Sequence, residues 1–354
     1  MKKIILTGGG TAGHVTPNIA LIPRLRELDY DIHYIGSFDG IERKLIEDIG
    51  IPYYPIHTGK LRRYFDVKNF TDPFRVIKGG AEAKQLIKEI KPNIIFSKGG
   101  FVSVPVVKAA QSQRVPVIIH ESDMTPGLAN KLSFSSADKV CCNFPETLQY
   151  LPSDKAVVTG SPIREELLRG SSEAGYRFCG FDKSKPVLMV IGGSIGAGPI
   201  NDVIHGILPE LLKRYQVVHL CGKGKTNPKY ANTPGYAQFE YLSEELPDIF
   251  AMADLIISRA GANSICEILA LCKPNILIPL SAKASRGDQL LNAASFEAQG
   301  FSKVLQEEEL SGQVLMDTIR EVFQDSDKYY QRMSKSSQSD AVSMVISLIE
   351  ELAL

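Results

Sequence analysis

Short apolar runs recur along the first half of the chain at KIILTG (3–8), DIHYIG (31–36), NIIFSKGG (93–100) and VPVIIHE (115–121). The second half repeats the rhythm at PVLMVIGG (186–193), QVVHLCG (216–222), DLIISRAG (254–261) and NILIPL (275–280). The runs are continuous in apolar residues and end in glycine or polar residues, the pattern of parallel strands covered on both faces. Between them the apolar spacing lengthens to that of helices. Ile200, Val203, Ile204, Ile207, Leu208, Leu211 and Leu212 make one stripe and predict a helix, kinked at Pro209. Ile19, Ile22, Leu25 and Leu28 make another, with Thr16 as the expected N-cap and Pro17 in the first helical position. Strand and helix alternate throughout, so the fold class is α/β with doubly wound parallel sheets.

Two glycine-rich turns, GGGTAGHVTP (8–17) and GGSIGAGP (192–199), join a strand to a helix at similar places in the two halves. Such a turn offers backbone N–H groups and a helix N-terminus to an anion. A chain of 354 residues suits two domains, and the duplicated turn says the same. The boundary is expected near GSPIR (160–164), giving domains 1–163 and 164–340. The final helix, 341–354, is apolar at Val342, Val345, Ile346 and Ile349 and is free to pack back on the N-terminal domain. In open α/β sheets ligands bind beyond the carboxyl ends of the strands, where both turns, Lys98-Gly99-Gly100, His120-Glu121 and Arg259-Ala260-Gly261 fall. Two such ends facing each other would form a cleft.

Composition narrows the classes. Lys+Arg and Asp+Glu number 40 each, so no net field draws the chain to nucleic acid. The six cysteines show no C-x-x-C pair and read as reduced core residues rather than a disulfide or zinc framework. No stretch reaches the roughly 18 apolar residues of a membrane span, and no signal peptide is recognisable, so a soluble or surface-attached protein is expected. A basic and aromatic stretch, with Lys60, Arg62, Arg63, Lys68, Arg75 and Lys78 among Leu61, Tyr64, Phe65, Phe70, Phe74 and Val76, could rest on anionic headgroups or be a solvated face.

Several residues carry candidate chemistry. His14 lies at a helix start, where the positive dipole end disfavours the imidazolium, so a neutral ring can serve as a base or can pack the turn. Glu121 and Asp123, on the loop after VPVIIH, are competing carboxylates. Ser264 and Glu267 have the spacing of a capping box, which alone would explain both. Gln289 and Asn292 share a helix face and suit either solvent or sugar hydroxyls. Gly8, Gly10 and Gly13 satisfy G-x-G-x-x-G, but Ser37 stands after the second strand with Asp39 slightly beyond. The ribose acid of a dinucleotide site is therefore poorly placed.

The ordered motifs GGGTAGHVTPNIA (8–20), GGFVSVP (99–105), HESDMTPGLANK (120–131), GSPIR (160–164), GGSIGA (192–197), SRAGANSICEI (258–268) and DQLLNA (288–293) resemble those of the MurG glycosyltransferases over nearly the whole chain. The resemblance implies the GT-B fold of two Rossmann-like domains. It implies inverting transfer of GlcNAc from UDP-GlcNAc to undecaprenyl-diphosphoryl-MurNAc-pentapeptide, without metal or cofactor, at the cytoplasmic face of the bacterial membrane as a peripheral protein. It assigns the base to His14, Glu121 or Asp123, and the leaving diphosphate to Arg164 and Ser194 with the N–H groups near it. Thr11, Ala12, Gly13 and Asp123 would meet the reacting sugar, and Gln289 and Asn292 its hydroxyls. Leu242 would frame uracil, Ala262, Asn263 and Ser264 would present backbone N–H groups, and Glu267 would hold the ribose. Gly99, Gly100 and Ser103 would serve the acceptor. Two departures from the family pattern are Asp123, usually Asn, and Asp288, often Gln. Rival readings are a UDP-GlcNAc 2-epimerase, another GT-B lipid glycosyltransferase, a nicotinamide-dependent oxidoreductase and a non-catalytic nucleotide-sugar binder.

Overall fold

The computed structural model describes residues 1–59, 72–193, 196–282 and 287–353. Ser194, Lys60, Leu61, Arg62, Arg63, Tyr64, Phe65, Lys68 and Phe70 lie outside the described residues. The chain forms two compact units, Met1–Arg164 with Asp340–Leu354, and Glu165–Ser339.

The first unit is a parallel sheet of seven strands: β1 (Lys3–Thr7), β2 (Asp31–Ser37), β3 (Tyr53–Ile56), β4 (Ile94–Ser97), β5 (Val117–Glu121), β6 (Lys139–Cys142) and β7 (Ala156–Val158). They lie in the order β3-β2-β1-β4-β5-β6-β7, and Ile4 is in register with Ile32 on one side and Ile94 on the other. Successive side chains face opposite ways, so continuous apolar strands feed two cores. Ile4, Leu6, Ile32, Ile94 and Phe96 pack on Leu21 and Leu25 of α1 (Thr16–Glu27). Ile5, Ile35, Ile95 and Ile119 pack on the other face. There they meet Ala83 and Ile87 of α3 (Asp72–Ile90) and Val106 and Ala110 of α4 (Ser103–Ser112). A shorter helix, α2 (Ile41–Glu47), follows β2. The last helix, Ala341–Leu352, places Val345, Ile346 and Ile349 in the α1-side core, with Lys2–Glu350 (3.6 Å) and Lys139–Glu351 (3.7 Å) pairs at its end.

The second unit repeats the plan with β8 (Val187–Ile191), β9 (Gln216–Leu220), β10 (Tyr236–Phe239), β11 (Leu255–Ser258), β12 (Asn275–Leu277) and β13 (Lys303–Val304), ordered β10-β9-β8-β11-β12-β13 and all parallel. The helix after the second glycine turn spans Gly198–Leu211 and continues through Pro209 for two residues. Its stripe is buried at Ile200, Ile204, Leu208 and Leu211, as the spacing predicts.

In each sheet the strand order reverses beside the strand that feeds a glycine turn, at β1/β4 and at β8/β11. Connections leave such a point for opposite faces and open a crevice at the strand ends. The local chemistry of the first turn differs from the expected cap. A short 3-10 turn, Ala12–His14, runs directly into α1, so Thr16 is already helical and Val15 precedes it without a side-chain cap. Asn18 does the anchoring instead. Fully buried, it donates to the Thr7 carbonyl (3.1 Å) and to the Tyr34 hydroxyl (3.1 Å), while Tyr34 donates to the Gly8 carbonyl (2.7 Å).

Candidate active site

At the β1/β4 crevice a cavity of about 880 Å³ is lined by Gly9, Gly10, Thr11 and His14 from the first turn and by Gly100, Phe101 and Val102 after β4. Ser37 to Glu42, Ile56 to Gly59 and Arg75 complete its wall. The volume lies in the range of small-molecule sites. The first glycine turn and the loop after β4 touch. Gly100 has φ +84°, and a Cβ there would overlap the Gly9 carbonyl oxygen, so the residue is glycine for both conformation and space. Gly99, also left-handed at φ +90°, faces Asn130, and the buried Ser103 turns its hydroxyl back to the Gly100 carbonyl (2.8 Å).

His14 is half-buried, with Nδ1 3.0 Å from the Thr11 hydroxyl. Burial first, and then the Lys98 ammonium, lower its pKa to about 4, against smaller opposing effects of the Gly9 backbone and Glu42. The ring is thus neutral at pH 7, through burial and a nearby cation more than through the helix terminus to which the sequence pointed. Lys98 is itself buried at the end of β4, with its ammonium 2.7 Å from His120 Nδ1 and donating to the Ser122 hydroxyl. His120 Nε2 lies 2.8 Å from the Gly160 carbonyl, so this neutral histidine ties the end of β5 to the Gly160 turn.

One residue that sequence reading passed over shapes the turn. Glu42 is fully buried and accepts hydrogen bonds from the N–H groups of Gly10 (3.1 Å) and Ser37 (3.1 Å). This carboxylate engages donors that a dinucleotide phosphate would need, a further argument against the nicotinamide reading. Its signal in the sequence was only an acid five residues past the strand.

Glu121 is 4% exposed and accepts from the Asp123 N–H (2.9 Å), the Gly127 N–H (3.0 Å) and the Asn130 amide (2.8 Å). Three donors on two oxygens make it the clamp of the 122–127 loop. Asp123 is exposed on that loop. Arg164 closes the first unit and keeps Nε buried with no protein acceptor among the described residues.

In the second unit, the helix Ala262–Ala270 begins after Gly261 without a side-chain cap, so Ser264 and Glu267 are interior helical residues and the capping-box alternative is corrected. Asn263, Ser264 and Glu267 are half-buried on a face opposite the buried Ile265, Cys266 and Ile268. The Gln289 and Asn292 pair is also not a solvated face. Gln289 accepts from the Leu280 N–H (3.0 Å), and buried Asn292 donates to the Ala260 carbonyl (3.1 Å), tying the helix Asp288–Ala298 to the start of Ala262–Ala270. Leu242 is buried in the loop after β10. Arg259 is structural: it pairs with Glu307 and donates to the Ile278 carbonyl (3.1 Å).

Among the described residues one group has metal-ligand chemistry, His205, His219 and Cys221. The Tyr236 hydroxyl lies 3.1 Å from His205 Nε2 and 3.0 Å from His219 Nδ1, while Asn201 Oδ1 is 2.9 Å from His219 Nε2. A closed polar network accounts for the cluster. Tyr236→Phe is expected to destabilise the protein by about 1–3 kcal/mol by leaving ring nitrogens unpaired, measured by urea unfolding.

Comparison with known proteins decides the family. The glycosyltransferase family 28 N-terminal domain matches residues 4–142 and the family 28 C-terminal domain residues 187–347. A protein of Lachnoclostridium phytofermentans is 61% identical over 354 residues, 100% of both chains. Its name is UDP-N-acetylglucosamine--N-acetylmuramyl-(pentapeptide) pyrophosphoryl-undecaprenol N-acetylglucosamine transferase. The chain belongs to the MurG family. A Clostridium tetani relative with the same name is 57% identical over 99% of this chain and 98% of its own. The crystal structure of Acinetobacter baumannii MurG matches with a TM-score of 0.77 at 25% identity, covering 99% of this chain and 100% of that one. MurG membership makes the chain a GT-B glycosyltransferase. A UDP-GlcNAc 2-epimerase from Neisseria meningitidis shares the fold, with a TM-score of 0.70 at 13% identity over 99% of this chain and 100% of that one.

Proposed function

We propose that this enzyme transfers GlcNAc from UDP-GlcNAc to the MurNAc 4-hydroxyl of undecaprenyl-diphosphoryl-MurNAc-pentapeptide, converting lipid I to lipid II in peptidoglycan synthesis. The observation that carries the reading is the 61% identity, end to end, with a relative named for that transfer. The residues make chemical sense of it. The acceptor occupies the cavity beside the first glycine turn, where neutral His14 takes the proton from the attacking hydroxyl. The anomeric carbon is attacked in line and inverted. UDP leaves toward the Arg164 guanidinium and the N–H groups of the second glycine turn with Ser194, a cationic and dipolar substitute for a metal. Glu267, one turn into its helix, takes the ribose hydroxyls, and the start of that helix presents Ala262, Asn263 and Ser264 to the nucleotide. Gln289 and Asn292 shape the sugar pocket through the backbone they hold. Asp123 faces the reacting sugar from the loop that Glu121 clamps.

No helix among the described residues is long and apolar enough to cross a membrane. The enzyme works as a peripheral protein on the anionic cytoplasmic face, to which α3 turns exposed Arg75 and Lys78 beside the 71% exposed Ile77.

Incubation with labelled UDP-GlcNAc and a lipid-linked MurNAc-pentapeptide is expected to yield a labelled disaccharide lipid. Free UDP-ManNAc would instead support the epimerase reading, and binding of both substrates without any turnover would refute transfer.

A further inference from the structure

The acceptor cavity has a second chemical feature, opposite in character to His14 and unused in the reaction. His57 lines it just beyond the end of β3, and its Nδ1 lies 2.7 Å from Glu82 Oε1, while its backbone N–H donates to Glu82 Oε2 (2.7 Å). Both oxygens of one carboxylate therefore fix the ring and the chain that carries it. With Nδ1–H given to Glu82, Nε2 holds the lone pair, and it lies 3.3 Å from Lys78 Nζ. Phe38, also in the cavity wall, packs edge-on against the imidazole at 5.0 Å between ring centres.

The seat for this chain of contacts is built by the fold. Arg75, Lys78 and Glu82 are three and four residues apart on α3 and so share one face. That helix lies flush against the strand end: a Cβ on Gly79 would overlap the His57 carbonyl oxygen. Arg75 lines the same cavity. A lysine ammonium on a four-carbon stem is ordinarily free to wander, and ordering it costs entropy. Here Glu82 orients His57 and His57 orients Lys78, so the ordering is done before a ligand arrives.

We infer that Lys78 and Arg75, with His57 and Glu82 as positioning residues, form an anion-binding subsite at the rim of the acceptor cavity, for the diphosphate or peptide carboxylate oxygens of the acceptor. The inference rests on the proposed transfer reaction. A sugar whose 4-hydroxyl meets His14 carries its charged substituents elsewhere on the ring, and the cavity's charged rim receives them.

The test uses the full-length enzyme and short-chain, water-soluble acceptors without vesicles, so that attraction to a membrane surface contributes nothing. One acceptor carries the pentapeptide; the other keeps the diphosphate but has its peptide carboxylates amidated. Lys78→Gln and His57→Ala are each expected to raise the acceptor KM about tenfold, the worth of one charge-assisted hydrogen bond. kcat and the KM for UDP-GlcNAc should stay within about twofold. Equal loss with both acceptors assigns the subsite to the diphosphate; loss confined to the pentapeptide acceptor assigns it to the carboxylates. Glu82→Ala should raise the acceptor KM as His57→Ala does, and the double variant no further, because the two act in series. An unchanged acceptor KM in Lys78→Gln, in a preparation whose wild type transfers sugar, overturns the subsite. A wild type that transfers nothing refutes the reaction instead.

Discussion

Replacing His14 with alanine is expected to lower kcat by roughly 10²–10⁴ while leaving UDP-GlcNAc affinity unchanged, because the ring's role is confined to the acceptor proton. Steady-state kinetics and direct nucleotide-sugar binding together check it, and unaltered turnover would move the base to Asp123. The pH profile sharpens the assignment. A general base works when neutral, so activity is lost as pH falls through its pKa, which stands at about 4 for His14. The wild-type profile should therefore show no His14 limb between pH ~7.5 and ~5.5, where an ordinary histidine of pKa ~6.5 would begin to titrate. Lys98 is one cause of that depression. Lys98→Gln keeps an N–H donor toward His120 Nδ1 and removes the charge, so the acid limb should move upward. The charged groups acting on His14 are Lys98, the residue after β4, and Glu42 from α2, with opposite signs. Glu42→Gln should accordingly move the limb the other way. A profile indifferent to Lys98→Gln would mean that the titrating base is not His14.

How much of this was legible beforehand depends on where each partner lies. The parallel strands and both glycine turns are local signals: an apolar run, Ile4 to Leu6 or Val187 to Ile191, with glycine at or one residue past its end. Strands β3, β6, β7, β10 and β13 were missed because each has only two to four residues and four of them, β3, β7, β10 and β13, are sheet edges, with β6 beside one. Such strands bury too little surface to show a pattern. His14 was recognisable from its place before a helix, but the reasons for its neutrality were not. Burial and the approach of Lys98 arise only when β4 aligns beside β1, bringing together residues 84 positions apart.

The same holds for the supporting groups. The bonds from Glu42 to Gly10, from Asn18 to Tyr34 and from His57 to Glu82 join residues 32, 16 and 25 positions apart. Periodicity cannot reveal them. The Ser264 and Glu267 spacing misled for a converse reason: a capping box requires the serine to precede the helix, and Gly261 had already begun the turn. Glu121 illustrates a third limit. Its residue type suggested a base, whereas its three backbone and amide donors describe a clamp, and the two roles share one letter in the sequence.

Acid should unfold this protein earlier than its carboxylates alone would require. His219 is fully buried in the second unit, and burial first, then neighbouring His205, lowers its pKa to about 3. Tyr236 and Asn201 occupy its two ring nitrogens, neither an anion to receive a proton's charge. His14 in the first unit is lowered to about 4, and His120 in the same direction by burial and Lys98. In the unfolded chain each returns to a pKa of about 6.5. Below that value the unfolded state binds protons that the folded state refuses, so stability falls as pH falls. For each such histidine the loss accumulates at about 1.4 kcal/mol per pH unit, until pH reaches its folded pKa. Urea unfolding between pH ~7.5 and ~4.5 should therefore show a midpoint that drops steeply below pH ~6.5, before ordinary carboxylates with pKa near 4 contribute. His219→Gln removes one titrating group and should flatten the slope by about 1.4 kcal/mol per pH unit in the transition assigned to the second unit. Its stability at neutral pH will be lower, but the slope is the diagnostic quantity. A midpoint that stays level from pH ~7 to ~5 would show that these histidines accept protons in the folded state, and would remove the basis for a neutral His14 as well.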